Sequence, residues 1–476
     1  MRARLFTEEN KKWWTLGAVA FGLFMIMLDN TIVNVALPTI ARDLRIGLSE
    51  LEWVVNGYAL TFAVIMLTGG KLADMLGRRR IFIAGLAIFT LSSLACGLAA
   101  GPEMLIGARI VQGVGAALMN PATLSIITAT FPPRQRGMAI GIWAGTAGMA
   151  LAIGPLLGGV ITQKIDWSWI FFVNVPVGIL AIVVARLAIR ESRDTSAEQR
   201  LDLPGLLASG IGLFALTYGL IEANTYGWTS TRILALFAVA VVALVAFVLL
   251  ELRQRIPMLD LSLFKNPTFA GANVTMLLVA LAMFGVFFFV SLYMQNILGY
   301  SATQTGATFL PMTILIVLLA PVAGKLTDRI GGRWLMGGGM ILLGISLLIF
   351  SQLDRGSSFW DIFPGLIVGG IGMAITMTPT TSVAMGSVPV DKAGVGSAVL
   401  NSMRQVGGSL GIAILGAIVA ASLSVPATDP RAPDQFVRGF QHALLVAAGI
   451  AFAGAIVAIV TVRHHRPTEV AELAAA

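Results

Sequence analysis

Gly70-Lys71-Leu72-Ala73-Asp74-Met75-Leu76-Gly77, followed by Arg78, Arg79 and Arg80, returns later in the chain as Gly324-Lys325-Leu326-Thr327-Asp328-Arg329-Ile330-Gly331, a shift of 254 from 70 to 324. Gly113-Val114-Gly115 returns as Gly370-Ile371-Gly372, and Gly137 as Gly394, each shifted by 257. Landmarks in one order at nearly one spacing mark an internal duplication. The duplication pairs residues 1–190 with residues 269–476 and leaves 191–268 as an insertion between the copies.

Outward from that repeat the chain is apolar: 57% of its 476 residues are hydrophobic and 12% charged, against about 25% charged in a soluble protein. A helix that crosses a bilayer needs roughly 20 apolar residues. Apolar runs predict spans near 15–37, 52–70, 81–99, 103–128, 138–160 and 168–189, then 203–222 and 232–250 in the insertion. The last six fall near 269–293, 303–324, 334–352, 360–382, 394–422 and 439–462. The expected fold is thus an all-α membrane protein of fourteen helices: an N-terminal six-helix bundle (1–190), a linker with two extra helices (191–268), and a C-terminal six-helix bundle with a short cytoplasmic tail (269–476).

Loop charge tests the count. Starting from the N-terminus, alternate loops and the span ends beside them carry 23 of the 32 Lys and Arg residues and the opposite side seven, with Arg109 and Arg404 deep inside spans. Positive charge marks the cytoplasmic side, so both termini are expected there, in a cell inner membrane, and the formal charge of +8 speaks for topology rather than for nucleic acid. The lone Cys96 sits in an apolar run and reads as packing. The three histidines show no ligand spacing inside a span, so neither a metal nor a cofactor is expected. A GxxxxGK[ST] phosphate loop is absent from the sequence, which leaves ATP-driven transport unsupported.

Four stretches then resemble a known family. Gly70 to Arg80 resembles a loop signature between spans 2 and 3, Arg109-x-x-Gln112-Gly113 a fourth-span signature, and Gly154-Pro155-Leu156-Leu157-Gly158-Gly159 a fifth-span signature of exporters. Leu28-Asp29-Asn30-Thr31-Ile32-Val33-Asn34-Val35-Ala36-Leu37-Pro38 resembles a first-span motif. Over nearly its whole length the chain is similar to the fourteen-span drug/proton antiporter branch of the major facilitator superfamily. The resemblance implies two pseudo-symmetric six-helix bundles with a substrate site near the midplane, and proton-coupled export of small amphipathic or cationic compounds by a protein that is no enzyme. An exporter of a lipid, siderophore or endogenous metabolite, and a non-transporting receptor on the same fold, are the competing readings. The chain departs from the family at Trp167-Ser168-Trp169, where an arginine is usual at the centre, and at Gly332-Arg333-Trp334, where the second copy lacks the three arginines.

Individual residues sharpen the expectation. Asp29 lies about 20 Å along the first span at 1.5 Å per residue; a carboxylate there costs several kcal/mol unless it faces a polar cavity. It is therefore the candidate for proton coupling and for cation binding, with Asn30 and Asn34 extending a polar strip beside it. Arg109 needs a partner or water; the resemblance ties it to proton coupling, and Gln112 shares its face. Arg404 either faces the cavity or braces the halves.

Asp74, Arg78 and Asp328 are expected to gate the inner side by charge, or else to anchor topology. Gly154, Pro155, Gly158 and Gly159 place a bend between side-chain-free positions, which permits close packing; the resemblance assigns them to the release path of exporters. Glu222 is either a solvated end group or a contact for cationic substrates. Phe284, Phe287, Phe288 and Tyr293 either offer aromatic faces to such cations or meet lipid and core. The partners expected are a small-molecule substrate, protons and the lipid bilayer, with a monomer favoured.

Overall fold

The computed structural model describes residues 8–193, 201–254, 257–389, 392–426 and 429–463. Among these, regular structure is helical and fourteen helices are long and apolar enough to cross a membrane. They are α1 (Glu8–Leu44), α2 (Leu48–Leu76), α3 (Arg78–Gly97), α4 (Pro102–Thr130), α5 (Pro133–Lys164) and α6 (Trp169–Phe172 continuing as Asn174–Ala188). The inserted pair is α7 (Leu203–Tyr226) and α8 (Thr231–Arg253). Then come α9 (Pro267–Asn296), α10 (Ala302–Thr308 continuing as Leu310–Ile330), α11 (Gly332–Phe350), α12 (Phe359–Gly386), α13 (Ala393–Ser422) and α14 (Ala432–Thr461). The helices overrun the apolar runs at several ends. Thus α1 begins at Glu8 rather than near 15, because polar residues outside the hydrocarbon extend a helix without burial.

Their starts follow from sequence. Proline occupies the first turn of α4, α5 and α9, where its missing N–H is no loss. The Asn266 side chain accepts the Thr268 N–H ahead of α9, and Ser301 and Gln304 form a reciprocal capping box ahead of α10. The repeated stretch ends in Gly77 (φ +115°) and Gly331 (φ +83°), a left-handed conformation that side chains disfavour. Each glycine turns the chain between two helices at the same place in its copy.

The chain forms two compact units, one of residues 1–219 and 231–259 and the other of 220–230 and 260–476. Within the first, α2 and α3 pack on α4, α5 on α1, and α6 on α1 and α3. Within the second, α10 and α11 pack on α12, α13 on α9, and α14 on α9 and α11. The pairings correspond one for one.

Glycine sets these contacts. A methyl group at Gly115 would lie 2.6 Å from the Phe89 amide nitrogen and 2.8 Å from the Gly85 carbonyl oxygen; at Gly372 it would lie 2.9 Å from both the Leu343 nitrogen and the Gly339 oxygen. At Gly113 it would meet the Tyr58 carbonyl at 2.6 Å, and at Gly370 the Met312 carbonyl at 2.8 Å. Gly85, Phe89 and Tyr58 shifted by 254 are Gly339, Leu343 and Met312. The duplication is thus one of atomic packing, with backbones brought close enough for dispersion to hold helices together where lipid supplies no hydrophobic drive.

The inserted α8 is apolar on all sides, with a mean hydropathy of 3.3 over its central window and most of it uncovered by protein. Its C-terminal end is fixed by a polar clasp. Asp202 accepts from the Gly205 N–H (2.7 Å) and the Gln254 amide (2.7 Å), while Glu251 accepts from the Leu259 N–H (2.9 Å). Burial pushes the Asp202 carboxyl up, but the Gly205 N–H, the Gln254 amide and its other hydrogen bonds hold it below its ordinary value. The end of α7 belongs to the second unit, where the Asn224 amide donates to the Ala417 carbonyl at 2.7 Å.

Candidate functional site

Asp29 on α1 and Arg109 on α4 are each 1% exposed, in the interior of the first unit. The first copy's signatures bring them together: Gly113 and Gly115 let α4 lie close to α2 and α3, which carries the Arg109 side chain inward. There its Nη1 donates to Asp29 Oδ2 at 2.5 Å and to Gln112 Oε1 at 2.7 Å, and its Nε donates to the Val54 carbonyl at 3.0 Å. The guanidinium carbon lies 4.2 Å from the centre of the Tyr58 ring. Gln112 Nε2 donates to Asp29 Oδ1 at 3.0 Å and to Ser93 Oγ at 2.8 Å, and the Asn174 amide reaches the same hydroxyl at 3.5 Å. Both carboxylate oxygens and two of the three guanidinium nitrogens therefore have partners.

A buried pair so bonded offsets much of its desolvation, while removal of either charge strands the other at a cost of about 3–5 kcal/mol. Arginine keeps its proton at any working pH. Asp29 is then the member of the pair whose charge can change. The glycine-rich segment of α5 packs on α1 just beyond Asp29: Gly154 faces Thr31, and a methyl at Gly158 would come within 2.6 Å of the Ile32 carbonyl.

The second unit lacks the site. Gly411, which is Gly154 shifted by 257, packs on Leu281 as Gly154 packs on Thr31. With the α1 to α9 shift so set at 250, Asp29 maps to Val279; Arg109 and Gln112, shifted by 257, map to Leu366 and Gly369. Val279 and Leu366 are fully buried, so an apolar core stands where the first copy holds charge.

Other expected residues distribute differently. Arg109 and Gln112 between them occupy both oxygens of Asp29. Of the polar strip, Asn34 is buried and its amide donates to the Asn30 carbonyl at 3.0 Å, so the pair bonds along its own helix. The aromatic residues of α9 make contacts within the second unit. Phe284 lies over Gly408, Phe287 is tilted on Phe309 (4.9 Å between centres), and Phe288 on Phe289 (4.7 Å). Tyr293 stacks on Phe440 at 4.8 Å, and its hydroxyl donates to the Asp354 carbonyl. Arg404 and Glu222 are half-buried.

Asp74 pairs with Arg78 at 2.8 Å, one turn apart around Gly77. The Asp328 side chain lies outside the described ones. Pro155 is buried inside α5, and Gly159 is buried beside it. His464 and His465 lie outside the described residues, and among those described no group of three His, Cys, Asp or Glu could hold a metal.

Sequence reasoning passed over several contributors. Ser93 and Asn174 complete the buried network, yet a serine or asparagine within an apolar span carries no signal of its own. Glu52 and Asn56, four apart on α2, are both buried; their spacing inside an apolar run could have flagged them. Glu191, in a charged loop, caps α3: its carboxylate accepts the Arg79 N–H at 3.0 Å and lies 3.8 and 3.7 Å from the Arg79 and Arg80 guanidinium nitrogens.

Comparison with known proteins agrees with this architecture. The model of the Major Facilitator Superfamily matches residues 19–412 and 272–475. The multidrug resistance protein Stp of Mycobacterium tuberculosis is 38% identical over 96% of this chain and 86% of its own length. The tetracenomycin C resistance and export protein of Streptomyces glaucescens is 38% identical over 87% of this chain and 77% of its own. A puromycin resistance protein of Streptomyces alboniger is 36% identical over 95% and 92%. Among solved structures, an inward-facing bacterial homologue of the human lysosomal transporter Spinster superposes with a TM-score of 0.68 at 18% identity, covering 95% of this chain and 97% of that one. With fourteen apolar helices, two matched six-helix copies and export proteins among its relatives, this chain belongs to the major facilitator superfamily of membrane transporters.

Proposed function

We propose that this transporter is a proton-coupled antiporter that exports small amphipathic or cationic compounds by alternating access, in the manner of multidrug and antibiotic efflux. The observation that carries the reading is the buried Asp29–Arg109–Gln112 cluster, one titratable group held against one permanent charge, in a chain whose relatives are named for antibiotic resistance and export. A proton on Asp29 releases Arg109 from its counter-ion, and the stranded guanidinium favours whichever arrangement of α1, α2 and α4 gives it water. Proton occupancy thereby selects between conformations. The substrate acts on the same equilibrium, so Asp29 couples to it through the helices.

Each proton moving down 100 mV releases about 2.3 kcal/mol, while each tenfold solute gradient costs about 1.4 kcal/mol. One proton per neutral solute therefore sustains more than tenfold accumulation. Asp74, Arg78 and Asp328 act as inner-side gating charges, Gly154 to Gly159 as the close-packed hinge of α5, and Arg404 and Glu222 as the ionic groups offered to cargo. The protein works as a monomer in the cell inner membrane with both termini cytoplasmic.

The test is uptake of puromycin, tetracenomycin C and a panel of lipophilic cations into inverted vesicles containing the protein. Accumulation that a protonophore collapses, with proton release when substrate is added, is the expected result. Uptake indifferent to the protonophore, or none for any compound, would overturn the reading.

A further inference from the structure

At the N-terminal end of α1 the first unit holds a cavity of about 370 Å³, enclosed by the ends of α1, α4 and α6. Lys11, Lys12 and Arg190 line it together with Thr15, Thr130 and Glu191. Thr15 donates to the Ala188 carbonyl at 3.2 Å and so ties α1 to α6 across the floor. Among the described residues of the lining, three cations stand with one carboxylate, that of Glu191, which is engaged by the Arg79 and Ser192 N–H groups and flanked by the guanidiniums of Arg79 and Arg80. Lys12 donates at 3.0 Å to the amide oxygen of Gln135, a neutral partner, with its ammonium 5.8 Å from the centre of the Trp13 ring.

Depth in the membrane is set by the adjoining residues. Trp13 and Trp14 follow the two lysines directly and are 41% and 40% exposed, with Trp13 anchored edge-on against Phe131. Exposed tryptophans sit at the headgroup level of a bilayer. The cavity also lies on the side where the loops concentrate Lys and Arg, the side whose leaflet carries anionic lipid. A concave basic site at headgroup depth, beside a tryptophan pair, matches a phosphodiester that arrives with acyl chains attached.

We propose that this cavity is a binding site for the headgroup of an anionic phospholipid, with Lys11, Lys12 and Arg190 around the phosphate and the Thr130 hydroxyl toward the polyol. Bound there, the lipid links α1, which carries Asp29, to α4, which carries Arg109, and to α6. The inference does not depend on what the protein exports.

The experiment is native mass spectrometry of the full chain in detergent, offered phosphatidylglycerol, phosphatidylethanolamine and phosphatidylcholine at equal concentration. Retention of phosphatidylglycerol over both zwitterionic lipids is expected. The double substitution Lys11→Gln with Arg190→Gln should weaken that retention about thirty-fold, from the surface value of one basic side chain each. The control Lys265→Gln with Arg463→Gln, exposed basic residues elsewhere on the same side, should leave it intact. Equal retention of all three lipids, or equal loss in the control, would overturn the proposal. Displacement of the lipid by excess inorganic phosphate would also overturn it, by showing a site for free anions. As a second measurement, phosphatidylglycerol should raise the thermal midpoint of the wild type and not that of the double variant.

Discussion

Asp29→Asn isolates the charge at the centre of the first unit. Asparagine is nearly isosteric and its carbonyl can still accept one bond from Arg109 or Gln112, so shape and part of the network persist. The counter-ion does not. Arg109 is 1% exposed, and its remaining partners are the Gln112 amide oxygen, the Val54 carbonyl and the faces of Tyr58 and Phe171. An uncompensated buried charge of this kind costs about 3–5 kcal/mol, and the bonds that remain place the expected loss at the lower end. Purified wild type and variant would be compared by thermal unfolding in one detergent, and by uptake into inverted vesicles with and without a proton gradient. The variant should unfold earlier and equilibrate substrate without accumulating it. Adding Arg109→Gln should recover stability, because no charge is then stranded, and should leave accumulation absent. Gradient-driven accumulation by Asp29→Asn, or a double variant less stable than the single one, would refute the reasoning.

Further expectations concern the frame. Gly115→Ala and Gly372→Ala should each destabilise the protein by about 1–3 kcal/mol, since each added methyl meets backbone under 3 Å away and a packed core resists insertion; thermal midpoints of the two variants check whether the copies respond alike. Glu191→Gln should weaken the start of α3 by about 0.3–1 kcal/mol through loss of negative charge at a helix N-terminus, which local hydrogen exchange at Arg79 and Arg80 would report. The Lys392 ammonium, 2.7 Å away, and the Ser262 hydroxyl hold the Asp260 carboxyl below its ordinary value. A depressed folded value means the contribution is complete above about pH 4, the unfolded carboxylate value, and is lost as pH falls through the folded one. Asp260→Asn should remove that acid-side slope from a titration of the thermal midpoint, and the exposure of the pair limits its size to under about 1 kcal/mol.

The helix count and the duplication were legible because both are written in long patterns: apolar runs for the spans, and two eight-residue stretches for the copies. Asp29 and Arg109 could each be recognised as too costly to leave alone in hydrocarbon. Their direct pairing could not, since 80 positions separate them and only the packing of α4 at Gly113 and Gly115 decides where the guanidinium arrives. The aromatics of α9 were ambiguous for a related reason. That helix is apolar all round, with a mean hydropathy of 2.5, so no periodicity distinguishes a lining face from a packing face. The contacts of Tyr293 with Asp354 and Phe440 join residues that are distant in sequence. Glu191 resembled any other loop charge until the end of α6 brought it to the start of α3.

Because the buried Asp29–Arg109 pair has the apolar Val279 and Leu366 as its counterparts in the second copy, tolerance to substitution should be lopsided along the chain. Conservative exchanges at Val279 or Leu366 trade one hydrocarbon for another, whereas at Asp29 or Arg109 every alternative side chain changes ionic state or reach. A saturation library scored for resistance would then show two like-shaped scaffolds with unlike mutational landscapes, rugged in the first and smooth in the second.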